Sequence, residues 1–195
     1  LVVEGVCSKL SLAEIAGKNG LYDILDEGMI VLDADTLPCI AYPNRSPQPV
    51  RYSEMWAPKL IQEVDCRISV SAFKSTSLKE RPLVSATLKN LYGLFPRAKY
   101  KARSANSRGQ LHRPSVPQIL QDIYCSIGYL FDGGVADCSQ KFVSKDWRPD
   151  VGQGFEIGQV VWGNDLVAVD RQACNVANEP AASYLEPIEA LKQNV

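Results

Sequence analysis

The chain has 195 residues, one histidine (His112) and a formal net charge of −1 at pH 7. A lone histidine excludes a multi-histidine metal centre, so any metal would need aspartate or cysteine ligands as well. Charge near balance argues against a surface built throughout for nucleic acid or anionic lipid. No apolar run approaches the ~18 residues that span a bilayer. The opening Leu1-Val2-Val3-Glu4-Gly5 also lacks the basic stretch and apolar block of a secretory leader. The six cysteines (Cys7, Cys39, Cys66, Cys125, Cys138, Cys174) contain no C-x-x-C pair. An iron–sulfur cluster within this chain is therefore not expected, and free buried thiols are the simpler reading. Such thiols fit a cytoplasmic protein with no membrane association.

What is present is ordinary globular composition, 46% hydrophobic and 22% charged. It fits a single α/β domain over 1–195 with a sizeable core. Val2-Val3 reads as a strand entered midway, and with no initiator Met the chain reads as a fragment. Ser11-Leu12-Ala13-Glu14 is a capping-box pattern, with a helix stop at Asn19-Gly20. A second helix over 21–27 and a strand over 29–32, ending at Asp33, complete a β-α-β order. Four prolines predict a loop over 36–52. A helix over 53–63 and a strand over 67–73 follow.

A helix is expected over 82–95, with Val84, Leu88, Leu91 and Phe95 facing the core. A basic, irregular loop occupies 96–114. Ser115 and Pro117 then open a helix carrying Ile119, Leu120, Ile123 and Ile127. A strand at 129–131, a Gly-rich mobile region at 133–158 and a strand at 160–162 come next. Asn164 or Asp165 caps a last helix with Leu166, Val169, Ala173 and Ala177 on its apolar face. The architecture predicted is three-layer α/β/α, with a mostly parallel or mixed sheet.

Open α/β sheets gather ligands at the carboxyl ends of their strands. Four polar groups fall there in this reading: Asp33 with Asp35, Lys74-Ser75-Thr76, Asp132-Gly133-Gly134, and Asn164-Asp165. Turn preference alone accounts for each of them separately. Lys89 and Asn90 lie off their helix's apolar stripe, and Gly93 one turn later admits a close backbone or ligand. From Arg97 to Arg113 there are six cations (Arg97, Lys99, Lys101, Arg103, Arg108, Arg113) and no acid. That run favours an anion, against the plainer alternative of a solvated loop. Tyr100 is its only aromatic, which argues against nucleic acid. His112 stands in this basic stretch, where a neutral imidazole is favoured. Asp165 reads as a helix cap, and Asp170 as a carboxylate off the core face.

Phe73-Lys74-Ser75-Thr76, followed by Ser85-Ala86-Thr87-Leu88-Lys89-Asn90-Leu91-Tyr92-Gly93-Leu94, resembles the most recognisable stretch of domain-of-unknown-function family 362. Leu111-His112, Phe131-Asp132-Gly133 and Ala168-Val169-Asp170 follow in that family's order, and the resemblance runs from about Val3 to Asn178. The chain departs from the family at Ser75-Thr76, where threonine and histidine are common. The resemblance also implies a preceding βα unit. Some relatives are fused to ferredoxin-type iron–sulfur modules, which hints at redox metabolism without implying a cluster here.

Two functional readings follow. In the first, an anionic small molecule binds at the strand ends in redox-related metabolism. Lys74 and Lys89 neutralise it, Ser75, Asn90, Gly93 and Gly133 orient it, and His112 transfers a proton. Asp132, Asp165 and Asp170 are then metal ligands or acid–base groups. In the second, a non-catalytic module docks an acidic or iron–sulfur redox protein through the basic loop. Reaction, metal identity and oligomeric state are not legible in the sequence.

Overall fold

The computed structural model describes residues 1–6, 8–77, 82–145 and 148–194. Cys7, one of the thiols considered above, lies outside the described residues. The fold is α/β with mixed sheets. Strand β1 (Val2–Glu4) leads into helices α1 (Leu12–Lys18) and α2 (Leu21–Ile24), then into β2 (Val31–Asp33), which pairs with β1 in parallel. The capping box at its start is formed: the Glu14 amide donates to Ser11 Oγ, and the Ser11 amide donates to the Glu14 carboxylate.

The proline-rich stretch contains a strand after all. Strand β3 (Cys39–Pro43) pairs antiparallel with β4 (Glu54–Pro58), and the short helix α3 (Leu60–Glu63) follows. The residues expected to begin a helix at 53 are thus extended, with Met55 and Ala57 alternating into the core. Strand β5 (Ile68–Ser77) is the longest element so far. A further strand, β6 (Leu83–Ser85), occupies the start of the expected 82–95 helix. Helical structure begins only at α4 (Thr87–Asn90) and continues as a 3-10 turn, Leu91–Leu94. The expected core residues Val84, Leu88, Leu91 and Phe95 are nevertheless all buried.

The basic stretch contains helix α5 (Arg97–Tyr100) and a 3-10 turn, Gly109–His112. Helix α6 (Val116–Ser126) buries Ile119, Leu120 and Ile123 completely. Residues 128–130 form a 3-10 turn where a strand was expected. The glycine-rich region forms two long strands, β7 (Gly133–Lys145) and β8 (Arg148–Gly163), although residues 146 and 147 of it lie outside the described residues. Helix α7 (Leu166–Val176) and helix α8 (Leu185–Leu191) close the chain.

The main sheet has the order β6-β5-β7-β8, with β5 and β7 parallel and the outer pairs antiparallel. Helices α4 and α7 pack on one face, which receives Ser69, Phe73 and Ser75 from β5 and Ala136 and Cys138 from β7. The other face leaves Val70, Val160 and Trp162 exposed. Cys125, Cys138 and Cys174 are buried free thiols as expected, whereas Cys66 is exposed and Cys39 partly so. No described helix is long and apolar enough to cross a membrane.

Candidate functional site

Beside β6 the edge of β5 is open over residues 70–73, because β6 pairs only with Lys74 to Thr76. Helix α4 and the following 3-10 turn lie across that edge, and Asn90 fastens them there. Its amide donates to the Val70 carbonyl at 3.0 Å and to Ser69 Oγ at 3.2 Å. The result is a cavity of about 330 Å³ whose lining includes Ser71, Lys74, Ser85, Lys89, Asn90 and Tyr92, together with Glu4, Gly93 and Arg108. Lys74, Lys89, Asn90 and Gly93, separated in sequence and chosen for different reasons, therefore line one cavity. Ser71, which also lines it, has a buried Oγ with no hydrogen-bond partner among the described residues. An orphaned hydroxyl is costly inside a protein.

Lys89 stands over the Tyr92 ring at 4.8 Å, the i, i+3 spacing of one helical turn. His112 stacks on the same ring, with centroids 5.7 Å apart and planes at 22°. Partial burial, and after it the charge of Lys89, hold the imidazole pKa below its ordinary 6.5. The sequence reading gave the cations of the 97–113 stretch as the cause; desolvation and Lys89 take that place. His112 touches the cavity through Tyr92 rather than lining it.

Gly93 and Gly5 meet back to back. A Cβ on Gly5 would fall 1.9 Å from the Gly93 carbonyl oxygen and 2.5 Å from Arg108 Nη2. The close approach anticipated at Gly93 is therefore made by another backbone. Arg108 is itself buried, donating to Gly93 O at 2.8 Å and to the carbonyl of Phe95. Arg108 and Arg97 both reach the Asp35 carboxylate, Arg97 at 2.6 Å. Lys99 lies 3.5 Å over the Trp56 ring. Several cations of the basic stretch are thus fastened to the fold, while Lys101, Arg103 and Arg113 are exposed.

The remaining candidates lie elsewhere. Asp132 was expected at the end of a strand, but it immediately precedes the start of β7. Its carboxylate accepts from the Arg67 amide and pairs with the Arg67 guanidinium at 3.1 Å. Because β5 and β7 are parallel, with Ile68 beside Gly133 and Lys74 beside Phe142, Asp132 stands at the opposite end of β5 from Lys74. Asp132 therefore does not join Lys89 and His112. Gly133 is a packing position, where a Cβ would lie 2.8 Å from Gly163 O. Ser75 is buried on the helix-covered face and donates to Glu179 at 3.3 Å. Asp165 caps α7, accepting from the amides of Val167 and Ala168, and its other oxygen pairs with Lys192.

Asp170 corrects the sequence reading most. It is fully buried, accepting from Thr87 N at 2.7 Å, Thr87 Oγ1 at 2.5 Å, Leu88 N at 3.2 Å and Tyr184 Oη at 2.9 Å. These bonds saturate both carboxylate oxygens, leaving none for a metal. Burial pushes its pKa up to about 6 against the pull of those hydrogen bonds. Asp122, which the sequence reading passed over, is a second buried carboxylate and serves the fold. It accepts from Asn44 Nδ2 and from the amides of Val50, Arg51 and Tyr52. Among the described residues no three His, Cys, Asp or Glu side chains group as metal ligands would.

The site therefore belongs to an α/β domain with a lysine-bearing cavity at an open strand edge. The chain belongs to the Domain of unknown function (DUF362) family, whose family model matches residues 1–175. No curated protein and no solved structure matches it. The matched span includes every residue of the cavity, and it leaves out Tyr184 and α8.

Proposed function

We propose that the cavity between β5, α4 and the 91–94 turn binds an anionic small molecule. The observation that carries this reading is the convergence of Lys74 and Lys89 with Asn90 around one cavity. Among the described residues Lys74 makes no ion pair, and Glu4 is the one that lines the cavity with a carboxylate. Two ammonium groups brought to one cavity favour a carboxylate or phosphate. Ser71 Oγ and Ser85 supply further hydrogen-bonding groups. Lysines act as point charges and impose no bidentate geometry, so the site selects by charge and size.

The test is calorimetric titration of inorganic phosphate and acetate into the protein, its Lys74→Gln and Lys89→Gln variants, and the double variant. Each single change is expected to weaken binding about tenfold, the scale of a charge-assisted contact. Equal affinity in wild type and double variant would remove the reading.

A further inference from the structure

A second cavity, of about 210 Å³, adjoins the basic one and shares Glu4, Asn90 and Gly93 with it. Its character is different. Pro58, Leu60, Ile61, Val64, Leu91 and Phe131 are among its walls, and exposed Cys66 and Ile68 lie at its rim. Arg67, which lines it, is already held by Asp132 and by the carbonyls of Ile61 and Val64. Most of this cavity's described lining is apolar, whereas the neighbouring cavity carries Lys74 and Lys89. Charge lies on one side of Asn90 and apolar surface on the other.

We infer that the two cavities form one bipartite site for an amphipathic anion: a carboxylate or phosphate head on an aliphatic or aryl body. The head lies between Lys74 and Lys89, and the body covers the apolar wall from Leu91 to Val64. Asn90, anchored to the strand edge through its amide nitrogen, stands at the junction. Burying an apolar tail contributes about 0.8 kcal/mol per methylene, so such a ligand binds more tightly than its bare head. The inference rests on the anion reading above and adds the tail.

The test compares acetate, octanoate, octyl phosphate and octanol on the intact chain. Binding is followed by calorimetry and by the rate at which N-ethylmaleimide alkylates Cys66, located by peptide mass spectrometry. Octanoate is expected to bind at least about tenfold more tightly than acetate, even if its tail is only partly buried. It should also slow alkylation of Cys66. Lys89→Gln should weaken octanoate and leave octanol unchanged. Cys66→Trp, a change at an exposed position, should fill the apolar side and remove the octanoate advantage while acetate binding is retained. Val64→Trp provides a second block from the same wall. Octyl phosphate exceeding octanoate, or the reverse, identifies the head while supporting the tail.

Equal binding of acetate and octanoate, with Cys66 alkylated at an unchanged rate, would overturn the bipartite site and leave the anion site standing. Octanoate protection of Cys66 that is indifferent to Lys89→Gln would also overturn it, because head and tail would then not be coupled. Failure of every anion to bind would remove the anion reading, and this one with it.

Discussion

Asp170 on α7 holds Thr87 by both its amide and its hydroxyl, across 83 positions of sequence. Thr87 is the first residue of α4, a helix of four residues that is too short to stand alone. The buried carboxylate takes the place of an N-terminal cap, accepting the first amides of the turn that carries Lys89 and Asn90. A residue expected to do chemistry instead positions the residues of the cavity.

Asp170→Asn should therefore destabilise the protein by about 3 kcal/mol, because an amide cannot accept all four bonds and leaves buried donors unsatisfied. Thr87→Val, which keeps the amide bond and loses the hydroxyl, should cost about 1 kcal/mol. Urea unfolding followed by tryptophan fluorescence measures both, and equal costs for the two would contradict the cap.

His112 is the only imidazole in the chain, so its proton resonances titrate without overlap. Its folded pKa should lie below 6.5, and Lys89→Gln should raise it. Phosphate in the cavity should raise it too, by offsetting the lysine charge. Since the folded value is depressed, the stability tied to this group is present above pH 6.5. It is lost as pH falls through the folded value. His112→Phe should preserve the stacking on Tyr92 and remove that acid-side loss.

Gly5→Ala should be far more damaging than Gly93→Ala. The first places a Cβ 1.9 Å from a carbonyl oxygen of the backbone; the second places one 3.0 Å from the end of the Glu4 side chain, which can move. Costs of roughly 3 and 1 kcal/mol are expected from overpacking of these two kinds. Thermal unfolding of the two variants decides it.

Asp132→Asn should leave phosphate affinity unchanged and cost less than about 1 kcal/mol, since its pair with Arg67 is partly solvated. A tenfold loss of anion binding in this variant would place Asp132 back in the site.

Much of the helical core was legible. The spacing of Ile119, Leu120 and Ile123, and of Leu166, Val169 and Ala173, identified the buried faces of α6 and α7, and the Ser11–Glu14 box identified a helix start. Asp170 was also findable. At 100° per residue it lies about 40° round the helix from Leu166, between Ala177 and Cys174, so the buried arc of α7 is wider than the four-residue stripe and takes it in. The extended segments were harder to see. Met55 and Ala57 alternate over only one period, and β6 spans just three residues, so neither shows its periodicity in a short window. Tyr129-Leu130-Phe131 was ambiguous for the same reason. Reading it as a strand placed Asp132 at the wrong end of the sheet. Lys89 and Asn90 were visible because they interrupt a helical stripe. The partnership with Lys74 depends on β5 pairing, which no local pattern encodes.

The Asp122 clasp has a consequence for how the proline-rich segment can vary. The carboxylate reads main-chain amides at Val50, Arg51 and Tyr52, not their side chains. Any amino acid bearing an N–H meets that requirement, so the grip is indifferent to chemistry at positions 50 and 51. Proline alone is forbidden there, in a stretch that already holds Pro43, Pro47 and Pro49. At the gripped positions the alphabet has nineteen letters, and the missing one is the letter the segment otherwise uses most.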